Sequence, residues 1–142
     1  STLMRSSAAS DVYKRQLNDV SARDVQTAHK QWYFGKSLDG FTPIGPCIVT
    51  ADAFADYPPR LGIRSFVNGE KRQDSNTALQ IFDIDHVIAE LSQGMTLKAG
   101  TIIATGTPAG VGMGMDPPQF LKPGDVVRCE IDGIGTLTNP VK

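Results

Sequence analysis

Alternating apolar and charged residues predict a strand near the C-terminus, over residues 125–131. Three apolar side chains would face one side of this strand and two charged side chains the other. The apolar set is Val127, Cys129 and Ile131, and the charged set is Arg128 and Glu130. An Asp-Gly pair at 132–133 predicts a turn that leads into a further strand at 134–137.

A second hairpin is predicted around Asn68-Gly69, which separates residues 61–67 from residues 70–76. Asn-Gly is the strongest short hairpin signal because both central residues of the turn need a positive φ. Two short apolar stretches are also predicted to be strands, at 46–50 and at 101–105.

Two helices are predicted between the strands. Apolar residues at i, i+3, i+4 and i+7 predict an amphipathic helix over 83–93, which Gly94 would end. Residues 21–33 form the second predicted helix, with Ser21 as N-cap and Asp24 as part of a capping box. Strands joined mostly by hairpins, with only two helices, predict a β-rich α+β fold rather than a doubly wound sheet.

The composition is that of one ordinary folded domain. The chain has 142 residues, of which 40% are hydrophobic, and its net charge is −1. This balance of charge argues against electrostatic binding to nucleic acid or to an anionic membrane. Two cysteines are too few for a disulfide scaffold. No signal peptide and no apolar run of about 18 residues is visible, so we expect a soluble cytoplasmic protein.

The first sixteen residues differ from the rest of the chain. Residues 1–16 are small and polar and show neither strand nor helix periodicity, whereas the pattern begins at Leu17. We expect residues 1–16 to be a non-native or disordered tail and residues 17–142 to form the domain. The alternative is a natural, flexible N-terminus.

Charged and amide side chains are concentrated in residues 18–26. A carboxylate such as Asp19 at the start of a helix can bind a hard cation such as Mg²⁺ through its oxygens. The alternative is that Asp19 and Ser21 only cap the helix, while Arg23 pairs with a neighbour.

A lysine and a glycine-rich loop are the other candidates for chemistry. Lys36 lies among apolar and glycine residues, where its ammonium group could polarise an enolate oxygen, or it could be an ordinary surface lysine. The loop 104–112 offers backbone N–H and hydroxyl groups that could hold the carboxylate of a small acid, or it could be a generic tight loop. The histidines, His29 and His86, show no zinc spacing, and no Gly-x-Ser-x-Gly elbow is present.

Taken in order, five motifs resemble the fumarylacetoacetate hydrolase family, and the resemblance covers essentially residues 17–142. The motifs are Asn-Asp-Val-Ser-Ala-Arg-Asp-Val-Gln (18–26), Gly-Lys-Ser-Leu-Asp-Gly-Phe-Thr-Pro-Ile-Gly-Pro (35–46), Val-Asn-Gly-Glu (67–70), Thr-Gly-Thr-Pro-Ala-Gly-Val-Gly (105–112) and Leu-Lys-Pro-Gly-Asp (121–125). The combination is far more specific than any single motif.

The resemblance implies a fold and a chemistry. The family fold is a mixed β-sheet roll with short helices, and the members are usually homodimers. They use Mg²⁺ or Mn²⁺ to bind a small-molecule substrate, a 2-oxo or 1,3-diketo acid. Hydrolysis of a C–C bond, decarboxylation or isomerisation then proceeds through an enolate that the metal stabilises.

The resemblance also implies roles for individual residues. The implied metal ligand is Asp19, the implied catalytic residue is Lys36, and the implied substrate-binding residues are Arg23, Gln26, Gly106 and Thr107. The chemistry agrees, because a hard metal prefers carboxylate oxygen and a carboxylate prefers N–H and O–H donors.

The sequence departs from the family in one respect. The family's other metal ligands form a Glu-x-Glu pair upstream of the Asn-Asp motif, and its acid–base His/Glu pair also lies upstream, but no glutamate precedes Glu70 here. From the resemblance we expect the parent protein to be an enzyme. From the missing glutamates we expect this chain to be a fragment that lacks part of the metal site. The alternative is a non-catalytic fragment that binds small acids or serves in oligomerisation.

Overall fold

The computed structural model describes residues 13–28 and 30–142, and this part of the chain contains six strands and two α-helices. The strands are β1 (Tyr13–Leu17), β2 (Ile44–Thr50), β3 (Gly62–Val67), β4 (Glu70–Asn76), β5 (Val126–Ile131) and β6 (Gly135–Pro140), and the helices are α1 (Arg23–Ala28) and α2 (Ile84–Gly94). Short 3₁₀ turns lie at Phe34–Lys36, Ala51–Ala53, Thr77–Leu79 and Gly112–Gly114.

The strands form two sheets. One contains β1 and β2, and the other has the strand order β4-β3-β5-β6. This architecture confirms the predicted β-rich α+β class with short helices. Every strand pair in the described part of the chain is antiparallel. Tight hairpins join two of these pairs, β3–β4 and β5–β6.

The predicted hairpins form where their turn residues indicate. Asn68 and Gly69 have φ values of 52° and 85°, and Val67 pairs with Glu70 across the turn, as a type I′ hairpin requires. At the second turn Gly133 has φ 74°, and Ile131 pairs with Gly135. Local backbone preference therefore determines where both turns form, whereas a β-bulge between Ser65 and Phe66 shifts the register farther along the β3–β4 hairpin.

The core lies between the β5–β6 turn and β2 of the smaller sheet. Leu61, Ile131 and Ile134 are buried and pack against three partly buried residues, namely Val49, Phe54 and Ile63. The Cys47 thiol on β2 donates to the Ile134 carbonyl over 3.4 Å, so β2 lies beside the turn that leads into β6. None of the helices in the described ranges is long and apolar enough to cross a membrane.

Helix α2 matches its prediction closely. Asp83 is the N-cap, and its side chain accepts a hydrogen bond from the backbone N–H of His86 over 2.7 Å. Gly94 is the last helical residue, and the extended Met95 follows it. The buried residue of the helix is Ile84, the first of the predicted apolar set.

The predicted strand at 101–105 is wrong. Residues 101–105 form no strand in the structure. The Ile102 side chain is 51% exposed rather than buried. An apolar run forms a strand only where a neighbouring chain satisfies its backbone N–H and C=O groups. Thr101 instead donates its N–H to the Lys98 carbonyl in a turn.

The predicted helix at 21–33 is much shorter in the structure. It is reduced to Arg23–Ala28, because the backbone turns left-handed at Lys30 with φ 54°. Ser21 is not its N-cap, since Ala22 directly precedes the first helical residue. His29 lies outside the described residues.

Strand β1 extends four residues upstream of the predicted boundary at Leu17. Tyr13 pairs with Thr50 and Leu17 with Ile44, so residues 13–16 are in regular structure, whereas the sequence pattern indicated a tail through residue 16. Gln16 is buried, and neither atom of its side-chain amide has a hydrogen-bond partner. Residues 1–12 lie outside the described residues, and their proposed non-native origin stays a prediction.

Candidate functional site

Lys36 and Asp19 form the closest charged contact of the candidate site. The Lys36 Nζ donates to the Asp19 Oδ2 over 2.5 Å and to the Ser21 Oγ over 2.9 Å. The two charged side chains are 27% and 38% exposed, so the cluster is reachable from solvent. An ammonium group has three N–H donors, and these two bonds leave one for a further acceptor.

Two tight backbone contacts place the lysine. Lys36 ends a 3₁₀ turn whose middle residue, Gly35, accepts a hydrogen bond from the Ala22 N–H over 2.8 Å. A Cβ atom at Gly35 would lie 2.8 Å from the Ala22 oxygen and from the Gln26 Cβ. Only glycine therefore lets this turn lie against the start of α1.

Arg23 and Gln26 pair with each other on the first turns of α1. The Arg23 guanidinium donates to the Gln26 Oε1 over 2.7 Å, and Gln26 is only 4% exposed. This contact agrees with the alternative given from the sequence, in which Arg23 pairs with a neighbouring residue. The buried Gln26 side chain thus orients the Arg23 guanidinium through this hydrogen bond.

The glycine-rich loop is held against β4. Gly106 has φ 96°, and the exposed Thr107 follows it. The Gln73 Nε2 donates to the Thr107 Oγ over 2.8 Å and to the Pro108 carbonyl over 2.9 Å. A Cβ atom at Gly110 would overlap the carbonyl oxygen of Arg72, so the loop approaches the strand at its backbone.

The implied site residues line one broad concavity. Asp19, Arg23, Lys36, Gly106 and Thr107 are among its lining residues, whereas the buried Gln26 is not. Its volume of about 3290 Å³ is several times the roughly 300–1,000 Å³ that is usual for a small-molecule pocket. The structure thus brings Lys36 and Asp19 into contact, and Thr107 lines the same concavity.

The described residues do not by themselves fit a divalent metal. Within residues 13–28 and 30–142, no group of three or more His, Cys, Asp or Glu side chains lies close enough together to hold an ion. Asp19 offers hard oxygen atoms, but Lys36 already contacts one of them. Mg²⁺ requires near-octahedral oxygen coordination, to which one carboxylate contributes only a part.

A cysteine nucleophile is not supported at this concavity. Cys129 is among the lining residues, but burial raises the pKa of its thiol. The thiolate is the reactive form, and a raised pKa keeps the group protonated at neutral pH.

Two residues that contact the candidate site residues, Ser21 and Gln73, were not identified as site residues from the sequence. Ser21 was interpreted as a helix cap, but its hydroxyl accepts a hydrogen bond from Lys36. Gln73 had no signal of its own, because it is an ordinary polar residue on a hairpin strand. A regular two-residue hairpin would place Arg72 opposite Ser65, and a β-bulge between Ser65 and Phe66 brings Gln73 there instead, so both this pairing and the contact with the loop require the folded chain.

Comparison with known proteins shows a close likeness over most of the chain. The family model described as fumarylacetoacetate (FAA) hydrolase C-terminal matches residues 16–142. The oxaloacetate tautomerase YisK of Bacillus subtilis (strain 168) is 50% identical over 125 residues, which are 88% of this chain and 41% of that protein. The mitochondrial oxaloacetate tautomerase fahd2 of Xenopus laevis is 52% identical over 126 residues, with 87% and 39% covered.

A solved structure agrees with these sequence relatives. The fumarylacetoacetate hydrolase from the psychrophile Exiguobacterium antarcticum matches with a TM-score of 0.85 and 55% sequence identity. The match covers 89% of this chain and 45% of that chain. The present chain therefore spans about two fifths of the length of the two curated relatives above.

Proposed function

Because the chain belongs to the fumarylacetoacetate hydrolase family, we propose that the whole protein isomerises a small 2-oxo acid through an enolate, with Lys36 stabilising the enolate oxygen. The observation that carries this proposal is the cluster in which the Lys36 Nζ lies 2.5 Å from the Asp19 Oδ2 and 2.9 Å from the Ser21 Oγ. It presents a positioned positive charge at an accessible surface.

The proposed chemistry is a keto–enol exchange. A base, which we propose is water or a group elsewhere in the whole protein, takes a C–H proton next to the carbonyl. The electron pair of the C–H bond forms the C=C bond, the π pair of the C=O bond moves onto the oxygen, and a proton returned to this oxygen gives the enol. The negative charge on this oxygen is stabilised by a fixed ammonium group, which needs no reorganisation during the reaction. Asp19 and Ser21 hold the Lys36 ammonium in place, and the Thr107 hydroxyl and the Gly106 N–H bind the substrate carboxylate.

The substrate we propose is oxaloacetate or a similar small 2-oxo acid. The support is that two relatives that carry the name oxaloacetate tautomerase are 50% and 52% identical to this chain over the 125 and 126 residues that align. Hydrolysis of a C–C bond and decarboxylation pass through the same kind of enolate, and they are the alternative reactions for this site.

A divalent cation, Mg²⁺ or Mn²⁺, is part of the proposal, with Asp19 as one of its ligands. We propose that its remaining ligands come from elsewhere in the whole protein, since the described residues bring no group of three together. When bound, the ion would act as a Lewis acid on the substrate oxygens. The roles given to Lys36 and Thr107 do not depend on it.

The second candidate is a non-catalytic module that binds small acids. Two observations favour it. The described residues bring no group of three metal ligands together, and the loop 104–112 offers N–H and hydroxyl donors. Binding of oxaloacetate without turnover would distinguish this module from the enzyme.

The test is the rate of oxaloacetate tautomerisation by the whole protein, followed by the ultraviolet absorbance of the enol. We expect Lys36→Met to lower kcat by about 10²-fold, as for the loss of one oxyanion donor. The matched control is Asp39→Asn, an exposed residue that lines the same concavity without a role in the proposed step. An unchanged kcat in Lys36→Met would contradict the proposal.

Calorimetry tests the metal separately from turnover. Asp19→Asn should weaken the binding of Mg²⁺ and Mn²⁺ to the whole protein, whereas Asp39→Asn should leave it unchanged. If Asp19→Asn binds the ions as tightly as the unmodified protein, Asp19 is not a metal ligand.

A further inference from the structure

We propose that Gln73 is a positioning residue for Thr107, whose hydroxyl proton it directs towards the substrate. This inference rests on the proposed function, in which Thr107 binds the substrate carboxylate. Gln73 lies on β4, outside the motifs that suggested the site.

The orientation of the Gln73 amide is determined by its neighbours. Its Nε2 lies 2.8 Å from the Thr107 Oγ and 2.9 Å from the Pro108 carbonyl oxygen. A carbonyl can only accept hydrogen bonds, so the nitrogen of the amide must face it. The Oε1 therefore faces the Ser65 Oγ, which donates to it over 2.8 Å.

This orientation determines what the threonine hydroxyl can do. The Thr107 Oγ accepts an N–H from Gln73, so its own proton must point to a different acceptor. In the part of the chain that the structure describes, the Thr107 hydroxyl donates to no protein group. A carboxylate has acceptor oxygens only, and it is the complementary ligand for this exposed donor.

The donors thus form a directed series, in which Ser65 donates to Gln73, Gln73 donates to Thr107, and Thr107 donates to the substrate. Hydrogen bonds in such a series polarise one another and strengthen the last donor. Ser65 and Gln73 are register partners on β3 and β4, beside a β-bulge, so the strand pairing holds these two side chains next to each other. The close approach of Gly110 to the Arg72 carbonyl fixes the far end of the loop.

The test compares substitutions at Gln73 and Thr107 in the whole protein, with KM and kcat for oxaloacetate as readouts. Gln73→Met keeps the size of the side chain and removes its hydrogen bonds to Ser65, Thr107 and Pro108, and we expect KM to rise about tenfold with little change in kcat. Gln73→Glu should raise KM further, because its carboxylate accepts the Thr107 proton and repels the substrate. The control is Gln80→Met, which changes a half-buried glutamine of the same concavity and should leave KM unchanged.

A double substitution separates the inference from the function on which it rests. Thr107→Val should raise KM, and adding Gln73→Met should cause no further rise, since Gln73 acts through Thr107. An unchanged KM in Gln73→Met, or additive effects in the double variant, would overturn the inference. An unchanged KM in Thr107→Val would instead overturn the proposed carboxylate site.

A binding-independent measurement completes the test. In the whole protein without substrate, the side-chain amide protons of Gln73 should exchange slowly with water, and they should exchange faster in Thr107→Val. Equal exchange rates in both proteins would mean that the hydrogen bond does not exist in solution, and the inference would fail without any bearing on the enzyme's reaction.

Discussion

Lys36 reaches Asp19 because the residue before it has no side chain. Gly35 lies against Ala22 and Gln26, and this contact joins the lysine turn to the loop that carries Asp19 and Ser21. The charged pair is therefore positioned by steric contact as well as by Coulomb attraction. A half-exposed ion pair alone contributes little to stability, about 0–1 kcal/mol, and would not hold the turn.

Gly35→Ala should destabilise the protein and displace Lys36. The added methyl group would lie 2.8 Å from the Ala22 oxygen and 2.9 Å from the Gln26 nitrogen. Overpacking of this kind costs about 1–3 kcal/mol of unfolding free energy. Urea unfolding measures the loss, and the tautomerase assay should show a lower kcat.

The control for this prediction is the same substitution at Gly94. A Cβ atom there would meet nothing within 4 Å, and the residue lies at the end of α2. Alanine is the better helix former, by up to about 1 kcal/mol, so Gly94→Ala should be neutral or slightly stabilising. A Gly35→Ala protein that unfolds like Gly94→Ala would mean that the close contact has no energetic importance.

At the scale of elements, the β3–β4 hairpin carries Gln73 and is tied to the start of β5. Asn68 does this from within the turn. Its Nδ2 donates to the Asp125 Oδ1 over 2.9 Å, and its Oδ1 accepts from the Val126 N–H over 2.9 Å. The side chain that favours the turn therefore also fixes a long-range contact between two segments of the sheet.

Asn68→Gly should raise the pKa of Asp125 towards its ordinary value. In the folded protein the hydrogen bond from Asn68 lowers this pKa most, and the Lys122 N–H adds to the effect. Glycine keeps the positive φ of the turn, so the change removes the side-chain bonds without straining the backbone. An NMR titration of the Asp125 carboxyl group measures the shift.

The same substitution has a predictable dependence on pH. A carboxylate whose folded pKa lies below its unfolded pKa of about 3.9 stabilises the fold above that pH. This stabilisation is lost as the pH falls through the folded pKa. The urea midpoints of Asn68→Gly and the unmodified protein should therefore differ more at pH 7 than in acid, where only the loss of the hydrogen bond from the Val126 N–H remains.

Asp132 is the internal control for the titration. Its pKa is also lowered, but chiefly by a hydrogen bond from Arg64, which Asn68 does not contact. The pKa of Asp132 should be the same in both proteins. If Asn68→Gly leaves the pKa of Asp125 unchanged, the hydrogen bond does not cause its depression.

At the scale of the whole molecule, an apolar patch before α2 is the feature most relevant to assembly. It consists of Leu79, Ile81 and Phe82, and Ile81 is 92% exposed. Large apolar side chains exposed this close together in the sequence are candidates for an interaction site. We propose that the protein is a homodimer in which this patch is buried.

Ile81→Glu should shift the proposed dimer to monomer, because a carboxylate cannot be buried in an apolar interface without a partner. Sedimentation velocity of the whole protein measures the change. Trp32→Glu, at an exposed aromatic residue elsewhere in the chain, should leave the dimer intact. Dimeric Ile81→Glu protein would contradict the assignment of this patch.

The sequence by itself determined those features whose signals lie within a few residues of each other. The positive φ that Asn68 and Gly69 tolerate specifies one hairpin, and the Asp83 cap with its 3.6-residue period specifies α2. Five ordered motifs also indicated the family, which the comparisons confirm over residues 16–142. Identification of Asp19 and Lys36 as candidates needed no coordinates.

Only the tertiary structure decided which of these candidates meet. Lys36 contacts an aspartate 17 residues away, and Gln73 contacts a threonine 34 residues away, so neither pair has a local sequence signal. The apolar run at 101–105 has strand-like residues but no strand, because a strand exists only with a hydrogen-bonded neighbour. Local backbone preferences are encoded residue by residue, whereas pairing and catalytic geometry depend on where distant segments come to lie.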